Sequence, residues 1–318
     1  MKKDTDDLLM VKQTLSQFSF RRAFEQKMLY FSDGADMFLD QCVVCYENDP
    51  DLLDADVSVL KNVMAQKKNI ALISLGCGDA SREKMLLDLL PAAGLDYYGI
   101  DSSHIMLDRA KETLKNSHRK SELVCLDFGS SELKDWVDKT VLDYDLRIFV
   151  FFGNTFANIP QAYMADSLRM VMLPGDILWL DVTFRKGVSS LGDGKLYERY
   201  QGWLKSTKMR NFILRPLKMV GLPEKNIDLR LEMKREVSVG ALKFIFYLEM
   251  KNKTEIEVLG ETLTLLPEDI VNILQIRAYA PNKLLQFFEA RGFEPFDEES
   301  GQCNLKKEKY IIIHRFPL

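Results

Sequence analysis

Two kinds of apolar spacing take turns along the first two thirds of the chain. Residues 70–76, IALISLG, form an unbroken apolar run, as a strand covered on both faces does. The next stretch, SREKMLLDLLPAAG, has helical spacing and stops at Pro91 and Gly94. The exchange then repeats. DYYGID (96–101), ELVCLDF (122–128), DLRIFVFFG (145–153) and ILWLDVTF (177–184) read as strands. Between them SHIMLDRAKETLKN (103–116), SSELKDWV and YMADSLRMVMLPGD (163–176) read as helices, the first capped by Ser102 or Ser103 and the last closed by Pro-Gly. This alternation predicts a doubly wound, mostly parallel sheet with helices on both faces. Ligands on such sheets bind outside the carboxyl ends of the strands. Asp101, Asp127, Gly153 and Asp181 fall at those ends.

The flanks differ. Residues 5–45 carry helical periodicity, with Leu8, Leu9, Val11, Leu15 and Phe18 on one side and a Ser-Asp-Gly turn in YFSDGADMFLD; residues 51–66 read as a further helix. Beyond 188 the alternation breaks. NIDLRLEMKREVSVGALKFIFYLEMKNKTEIEVLGETLTL reads as antiparallel strands, with turns at Gly240 and Asn252-Lys253. PNKLLQFFEARG is helical, and FEPFD and EKYIIIHRF (308–316) are strands. The expected organisation is an N-terminal helical segment (1–66), an α/β core (67–187), a β-rich insertion covering the substrate site (188–275), and a return to the core (276–318).

Composition narrows the class without fixing it. The 318 residues are 47% apolar and 28% charged, as in ordinary soluble domains. A net charge of −4 argues against a general nucleic-acid binder. No apolar run reaches the roughly 18 residues of a membrane span. MKKDTDDLLMVKQ has no apolar h-region, so a cytoplasmic protein is expected. The five cysteines are scattered. Cys42 and Cys45 form a C-x-x-C without a second ligand pair, so they are expected to be ordinary buried thiols. His104, His118 and His314 are too dispersed for a metal site. The basic stretch 205–225 is either a solvated face or the lining of a path for an anionic substrate.

The chemistry centres on ALISLGCGDASREKM. Gly76 and Gly78 allow the backbone to approach a ligand, and the following helix offers its positive end. Asp101, at the end of the next strand, can accept both hydroxyls of a ribose. A dinucleotide fingerprint needs Gly or Ala where this chain has Ser81. The turn therefore fits S-adenosylmethionine better than NAD. Asp127 and Phe128, in LDF, suit the adenine amine and ring. FFGNTFANIP, with Gly153, supplies turns at the reactive end.

These stretches, with LPGDILWLD, resemble the class I S-adenosylmethionine-dependent methyltransferases. More closely, LDF, FGNTFANI and PGDILWLDV, together with the place of the β-rich insertion, resemble the histidine-specific methyltransferases, which trimethylate the α-amine of histidine in ergothioneine biosynthesis. The resemblance runs from about Tyr30 to the C-terminus. It implies a Rossmann-like methyltransferase sheet and a small-molecule methyl acceptor. It places Gly76, Arg82 (a lysine in the family), Asp101, Asp127 and Phe128 on cofactor positions. Asn158 falls on the asparagine that holds the substrate's amino acid moiety, and Tyr197 and Tyr46 on substrate-contacting tyrosines. Asn158 and then Tyr197 are expected to orient the acceptor. The family reads imidazole with Glu-x-Ser; here LQIRAY offers Gln275 and Arg277. That departure predicts an acceptor other than histidine. An NAD-dependent oxidoreductase and a non-catalytic, partner-binding methyltransferase scaffold are the alternatives.

Overall fold

The computed structural model describes residues 2–17, 21–40, 50–65, 67–91, 93–117, 120–185, 190–267, 269–296 and 309–315. In chain order these form α1 (Lys2–Leu15), β1 (Arg21–Ala23), α2 (Gly34–Leu39), α3 (Pro50–Met64), β2 (Ile70–Leu75), α4 (Ser81–Asp88), β3 (Leu95–Asp101), α5 (His104–Leu114), β4 (Ser121–Cys125), α6 (Glu132–Thr140), β5 (Leu146–Phe151), α7 (Gln161–Val171) and β6 (Ile177–Val182). Then come α8 (Ser190–Lys205), α9 (Thr207–Ile213), α10 (Arg215–Met219), β7 (Ile227–Glu236), β8 (Ala241–Met250), β9 (Thr254–Val258), β10 (Glu261–Leu265), β11 (Ile270–Tyr279), α11 (Pro281–Glu289), β12 (Phe293–Pro295) and β13 (Lys309–Arg315). They divide into two compact units. The first comprises 1–42, 185–237 and 241–278; the second 43–184, 238–240 and 279–318.

The second unit is built on one seven-stranded sheet in the order β12-β13-β6-β5-β2-β3-β4, and every pair in it is parallel. This is the predicted doubly wound α/β architecture. The central strands β2, β5 and β6 are buried at every position, which is why they read as continuous apolar runs. Trp179 on β6 meets Phe152 edge to face with centroids 5.8 Å apart, within a core that includes Leu60 of α3 and Leu86 of α4. The Pro-Gly-Asp turn before β6 has a specific partner. Asp176 accepts from Leu173 N at 2.6 Å and from buried Arg147 Nε at 3.1 Å. Burial pushes the Asp176 carboxyl up, and Arg147 opposes it. The strand order sets Gly76, Asp101, Asp127, Gly153 and Asp181 along one edge, at the carboxyl ends of β2 to β6.

The first unit holds a second sheet, β1-β11-β8-β7. β7 and β8 form the expected antiparallel hairpin, from Ile227↔Met250 to Glu236↔Ala241. β9 and β10 form another. Two features depart from the sequence reading. Residues 190–219, expected within the β-rich insertion, are three helices. Leu196 and Tyr200 are buried at i and i+4, with Trp203 packed beside them, so the helical period wins there. Ser206 caps α9, accepting from Met209 N at 3.3 Å, and Pro216 opens α10. The N-terminal segment is also not wholly helical: β1 pairs parallel with β11, and Arg22 bonds Asp269 at 3.0 Å. Of the residues predicted for one helical face, Val11 and Leu15 are buried and Leu9 is exposed; Phe18 lies outside the described residues. Cys42 and Cys45 also lie outside them, while Cys77 is buried and Cys125 exposed. Among the described residues no helix is long and apolar enough to cross a membrane, and no group of His, Cys, Asp or Glu is placed to hold a metal ion.

Candidate active site

The site is built around the turn that leaves β2. Gly76 N and Cys77 N both donate to Ile100 O, at 2.8 and 3.1 Å, so the turn stays tied to β3 as it opens. Gly76 has φ +76°, and a Cβ there would lie 2.7 Å from Thr155 Cγ2 and 3.6 Å from Phe128 Cε1. The loops after β4 and β5 close on this glycine, and a larger residue has no room. Gly78 differs. Its φ is +57°, and a Cβ on it would meet nothing within 4 Å. Its amide donates to Asp101 Oδ2 at 3.0 Å. The backbone therefore presents an open, side-chain-free surface beside a carboxylate. Asp79 fastens the exit of the turn, accepting from Ser81 N at 3.2 Å and Ser81 Oγ at 2.5 Å.

Asp101 ends β3 and also accepts from Ser103 N at 2.8 Å through Oδ1. Burial raises its carboxyl above the usual range, against the backbone amides of Ser103, Gly78 and Ser102. With three amides donating to it, the carboxylate still keeps acceptor capacity for a ligand hydroxyl. Asp127 accepts from Gly129 N at 2.9 Å, and its carbonyl takes Ser130 Oγ at 2.7 Å, which fixes the LDF loop. Phe128 is half-buried and packs edge-on to Phe151, 5.8 Å between centroids.

After β5, Gly153 and Asn154 both have positive φ, +66° each. Gly153 is exposed, and a Cβ on it would meet nothing within 4 Å. Asn154 is buried, and its Oδ1 accepts from Thr183 N at 3.0 Å, joining the β5 loop to the end of β6. Asn158 Nδ2 donates to Asn154 O at 3.3 Å, and Asn158 Oδ1 is buried without a hydrogen-bond partner.

Arg82 is placed differently from the sequence expectation of a cofactor contact. It is buried, ion-paired with Asp181 and with Asp56 (3.4 Å), and its guanidinium lies 4.8 Å from the centre of the Phe152 ring. Neither Asp56 nor this pairing was read from the sequence; the partner lies on α3, far away in the chain. Glu83, beside it, was also missed. It is 2% exposed and accepts from Ser74 Oγ at 2.5 Å. Burial pushes its carboxyl from the usual 4.5 up to about 7. Burial likewise raises the Cys77 thiol and the Tyr97 phenol well above their usual ranges.

The remaining expected substrate residues belong to the first unit. Tyr197 on α8 is half-buried, its hydroxyl 3.5 Å from Leu231 O. Gln275 is half-buried on β11. Arg277 is only 5% exposed and donates to Glu236 through Nε at 2.6 Å and through a terminal nitrogen at 3.3 Å. Lys243 Nζ also reaches Glu236, at 3.2 Å. Burial would raise Glu236, but Arg277 and Lys243 outweigh it and hold the carboxyl low. Tyr46 lies outside the described residues.

The second unit thus brings Gly76, Gly78, Asp101, Asp127, Phe128, Gly153 and Asn158 to one sheet edge. A side-chain-free turn, a carboxylate beside it and a flanking aromatic ring fit an adenosine-bearing cofactor. Among solved structures the chain is similar to an S-adenosylmethionine-dependent methyltransferase from Clostridium acetobutylicum, at 11% identity and a TM-score of 0.38, over 83% of this chain and 85% of that one. It is also similar to the CcbJ methyltransferase from Streptomyces caelestis, at 16% identity and 0.37, over 80% and 86%. A third is the plantazolicin methyltransferase BpumL in complex with SAH, at 15% identity and 0.36, over 73% and 83%. No curated protein sequence matches the chain. The family model described as histidine-specific methyltransferase, SAM-dependent, matches residues 6–189, more than half of the chain. The protein therefore belongs to the histidine-specific, S-adenosylmethionine-dependent methyltransferase family.

Proposed function

We propose that this methyltransferase transfers a methyl group to the amino nitrogen of a small amino acid or amine other than histidine. The observation that supports an amine acceptor is Asn158 Oδ1, a buried oxygen at the reactive end of the site that accepts no hydrogen bond from the protein. It suits an N–H donor. Bound S-adenosylmethionine supplies an electrophilic methyl group on a sulfonium. Gly76 and Gly78 would hold that cofactor through the open backbone turn, Asp101 through its ribose hydroxyls, and Asp127 and Phe128 at its adenine. Asn158 orients the acceptor so that its nitrogen lone pair faces the methyl carbon. Transfer would form the carbon–nitrogen bond as the sulfonium's carbon–sulfur bond broke, with its electron pair returning to sulfur and the amine proton lost to water. Positioning and exclusion of water provide most of the catalysis in such a displacement, so no strong base is required.

The case against histidine rests on Gln275. The family's imidazole-reading acid is replaced by a neutral amide, which loses the charge that favours a protonated ring. Arg277 adds little to it, because its guanidinium is answered by Glu236. The test is methyl transfer from S-adenosylmethionine to histidine beside a panel of amino acids and amines, followed by mass. Efficient turnover of histidine, with kcat/KM of about 10⁴ M⁻¹s⁻¹ or more, would overturn the specificity. Failure to bind S-adenosylhomocysteine would overturn the assignment of the cofactor residues.

A further inference from the structure

Cys125 is exposed at the last position of β4, the edge strand of the seven-stranded sheet. Cysteine is among the most buried residue types, so an exposed thiol on an edge strand is unusual. It has a base beside it. Cys125 Sγ lies 3.2 Å from Nε2 of His104, the first residue of α5, and 3.8 Å from Ser102 O. His104 is exposed as well, so solutes reach both members of the pair. At that separation a proton held by either the sulfur or the ring nitrogen is hydrogen-bonded to the other. Cys77, in the same unit, is the contrast: it is buried, and burial raises its thiol well above the usual range. The pair also stands next to the acid assigned to the ribose. Cys125 is the register partner of Asp101, and Leu126 N donates to Asp101 O at 3.1 Å. Ser103 N, one residue before His104, donates to Asp101 Oδ1 at 2.8 Å, and the Ser102 amide bonds the same carboxyl.

A serine at this position would keep a hydrogen bond to His104 without the reactivity of sulfur. An accessible thiol in contact with an imidazole is instead set up as a nucleophile. We propose that Cys125 is a thiol–disulfide exchange site for low-molecular-weight disulfides, with His104 as its base, and that thiolation there weakens cofactor binding. His104 Nε2 takes the proton of the Cys125 thiol. The thiolate attacks one sulfur of the disulfide. A new sulfur–sulfur bond forms as the old one breaks, and the departing thiolate recovers the proton from His104. Cys125 is thereby oxidised to a mixed disulfide, and one half of the reagent is reduced to a thiol. An excess of small thiol reverses the exchange. The effect on the cofactor rests on the methyltransferase reading above. A mixed disulfide has no S–H to give to His104 or to Ser102 O, and its added group extends from a sulfur that touches the Ser102–His104 turn. Amides of that turn hold the Asp101 carboxylate, so displacing the turn disturbs the acid assigned to the ribose.

The experiment exposes the full, reduced chain to excess glutathione disulfide near neutral pH and follows each cysteine by peptide mass over time. Cys125 should acquire glutathione about tenfold or more faster in wild type than in His104→Gln, which keeps a polar contact but cannot act as a base. Cys77 should stay unmodified in the folded chain. Calorimetry with S-adenosylhomocysteine then compares reduced and thiolated protein. Thiolation should weaken wild-type binding by about tenfold. Treated Cys125→Ser, whose other cysteines remain, should bind as its reduced form does. By reciprocity, S-adenosylhomocysteine should lower the mixed-disulfide population of Cys125 in a glutathione redox buffer in the same proportion. The proposal is overturned if Cys125 takes up no glutathione, if His104→Gln reacts at the wild-type rate, if thiolated wild type binds within about twofold of the reduced form, or if treated Cys125→Ser loses affinity. A reduced wild-type chain that binds no S-adenosylhomocysteine would strike the cofactor assignment and the control built on it, while the thiolation rates would still decide the exchange site.

Discussion

Glu83 gives the protein a stability that depends on pH in an unusual direction. It sits in the first turn of α4, 2% exposed, with Ser74 Oγ at 2.5 Å. Burial raises its carboxyl from 4.5 to about 7, so the folded chain holds a proton that the unfolded chain releases. Below pH 4.5 both states carry the proton and the full contribution to stability is present. As pH rises from there toward 7 the unfolded state gains an ionisation that the folded state does not share, and stability falls by about 1.4 kcal/mol per pH unit. Above about 7 both states are ionised and the contribution is gone. The whole window is worth roughly 3 kcal/mol, of which about 2 kcal/mol lies between pH 5.5 and 7. Glu83→Gln keeps the shape and the hydrogen-bonding ability toward Ser74 and carries no titratable proton. Urea unfolding followed by tryptophan fluorescence, on wild type and variant from pH 5.5 to 8, isolates the term as a difference. The variant should gain about 2 kcal/mol on the wild type across that range. Parallel pH profiles, or a wild type that gains on the variant as pH rises, would refute a buried, proton-holding Glu83.

Asp101→Ala should cut S-adenosylhomocysteine affinity by about tenfold to a hundredfold in calorimetry, since each hydrogen bond to a charged acceptor contributes about 1.5–3 kcal/mol; a change under threefold would remove Asp101 from the ribose. Gly76→Ala places a Cβ 2.7 Å from Thr155 Cγ2 at a φ of +76°, so its thermal midpoint should fall and cofactor binding should be lost together; a variant that folds and binds normally would show the loop after β5 to be free to move. Arg277→Ala leaves the half-buried Glu236 with Lys243 as its remaining cation, and should cost about 1.5–3 kcal/mol in urea unfolding, the loss of a charge-assisted hydrogen bond. A loss below about 0.5 kcal/mol would place that pair among ordinary surface ion pairs.

The parallel sheet was legible because its signal is local. Each central strand is a short apolar run buried on both faces, and each helix shows its own period and its own stop, as at Ser103, whose hydroxyl accepts from Met106 N at 3.3 Å. The glycine turn was legible for the same reason: positive φ at Gly76 and Gly78 is a demand on single residues, and only glycine meets it without strain. Where the sequence reading departed from the structure, two local patterns competed. SLGDGKLYERYQGWLK lies beside long strands and has glycines at 192 and 194, yet Leu196 and Tyr200 bury on one helical face. β1 has only three residues, too few to show a period, and its strand state comes from the partner β11.

The charged residues expected from the sequence to contact ligands were the hardest to read, and for one physical reason. A cation's role is set by the acid it meets, and that acid is often distant in the chain. Arg82 reads as a helix residue one turn from the glycine loop, on a position that the family resemblance gives to the cofactor. In the fold it meets Asp56 and Asp181, both 0% exposed. Arg277 reads as a free cation two residues from Gln275, able to repel a protonated ring. In the fold Glu236, distant in sequence, takes its guanidinium, and Lys243 shares the same carboxylate. Desolvating an isolated guanidinium is costly, so a buried arginine without an acid beside it would not persist.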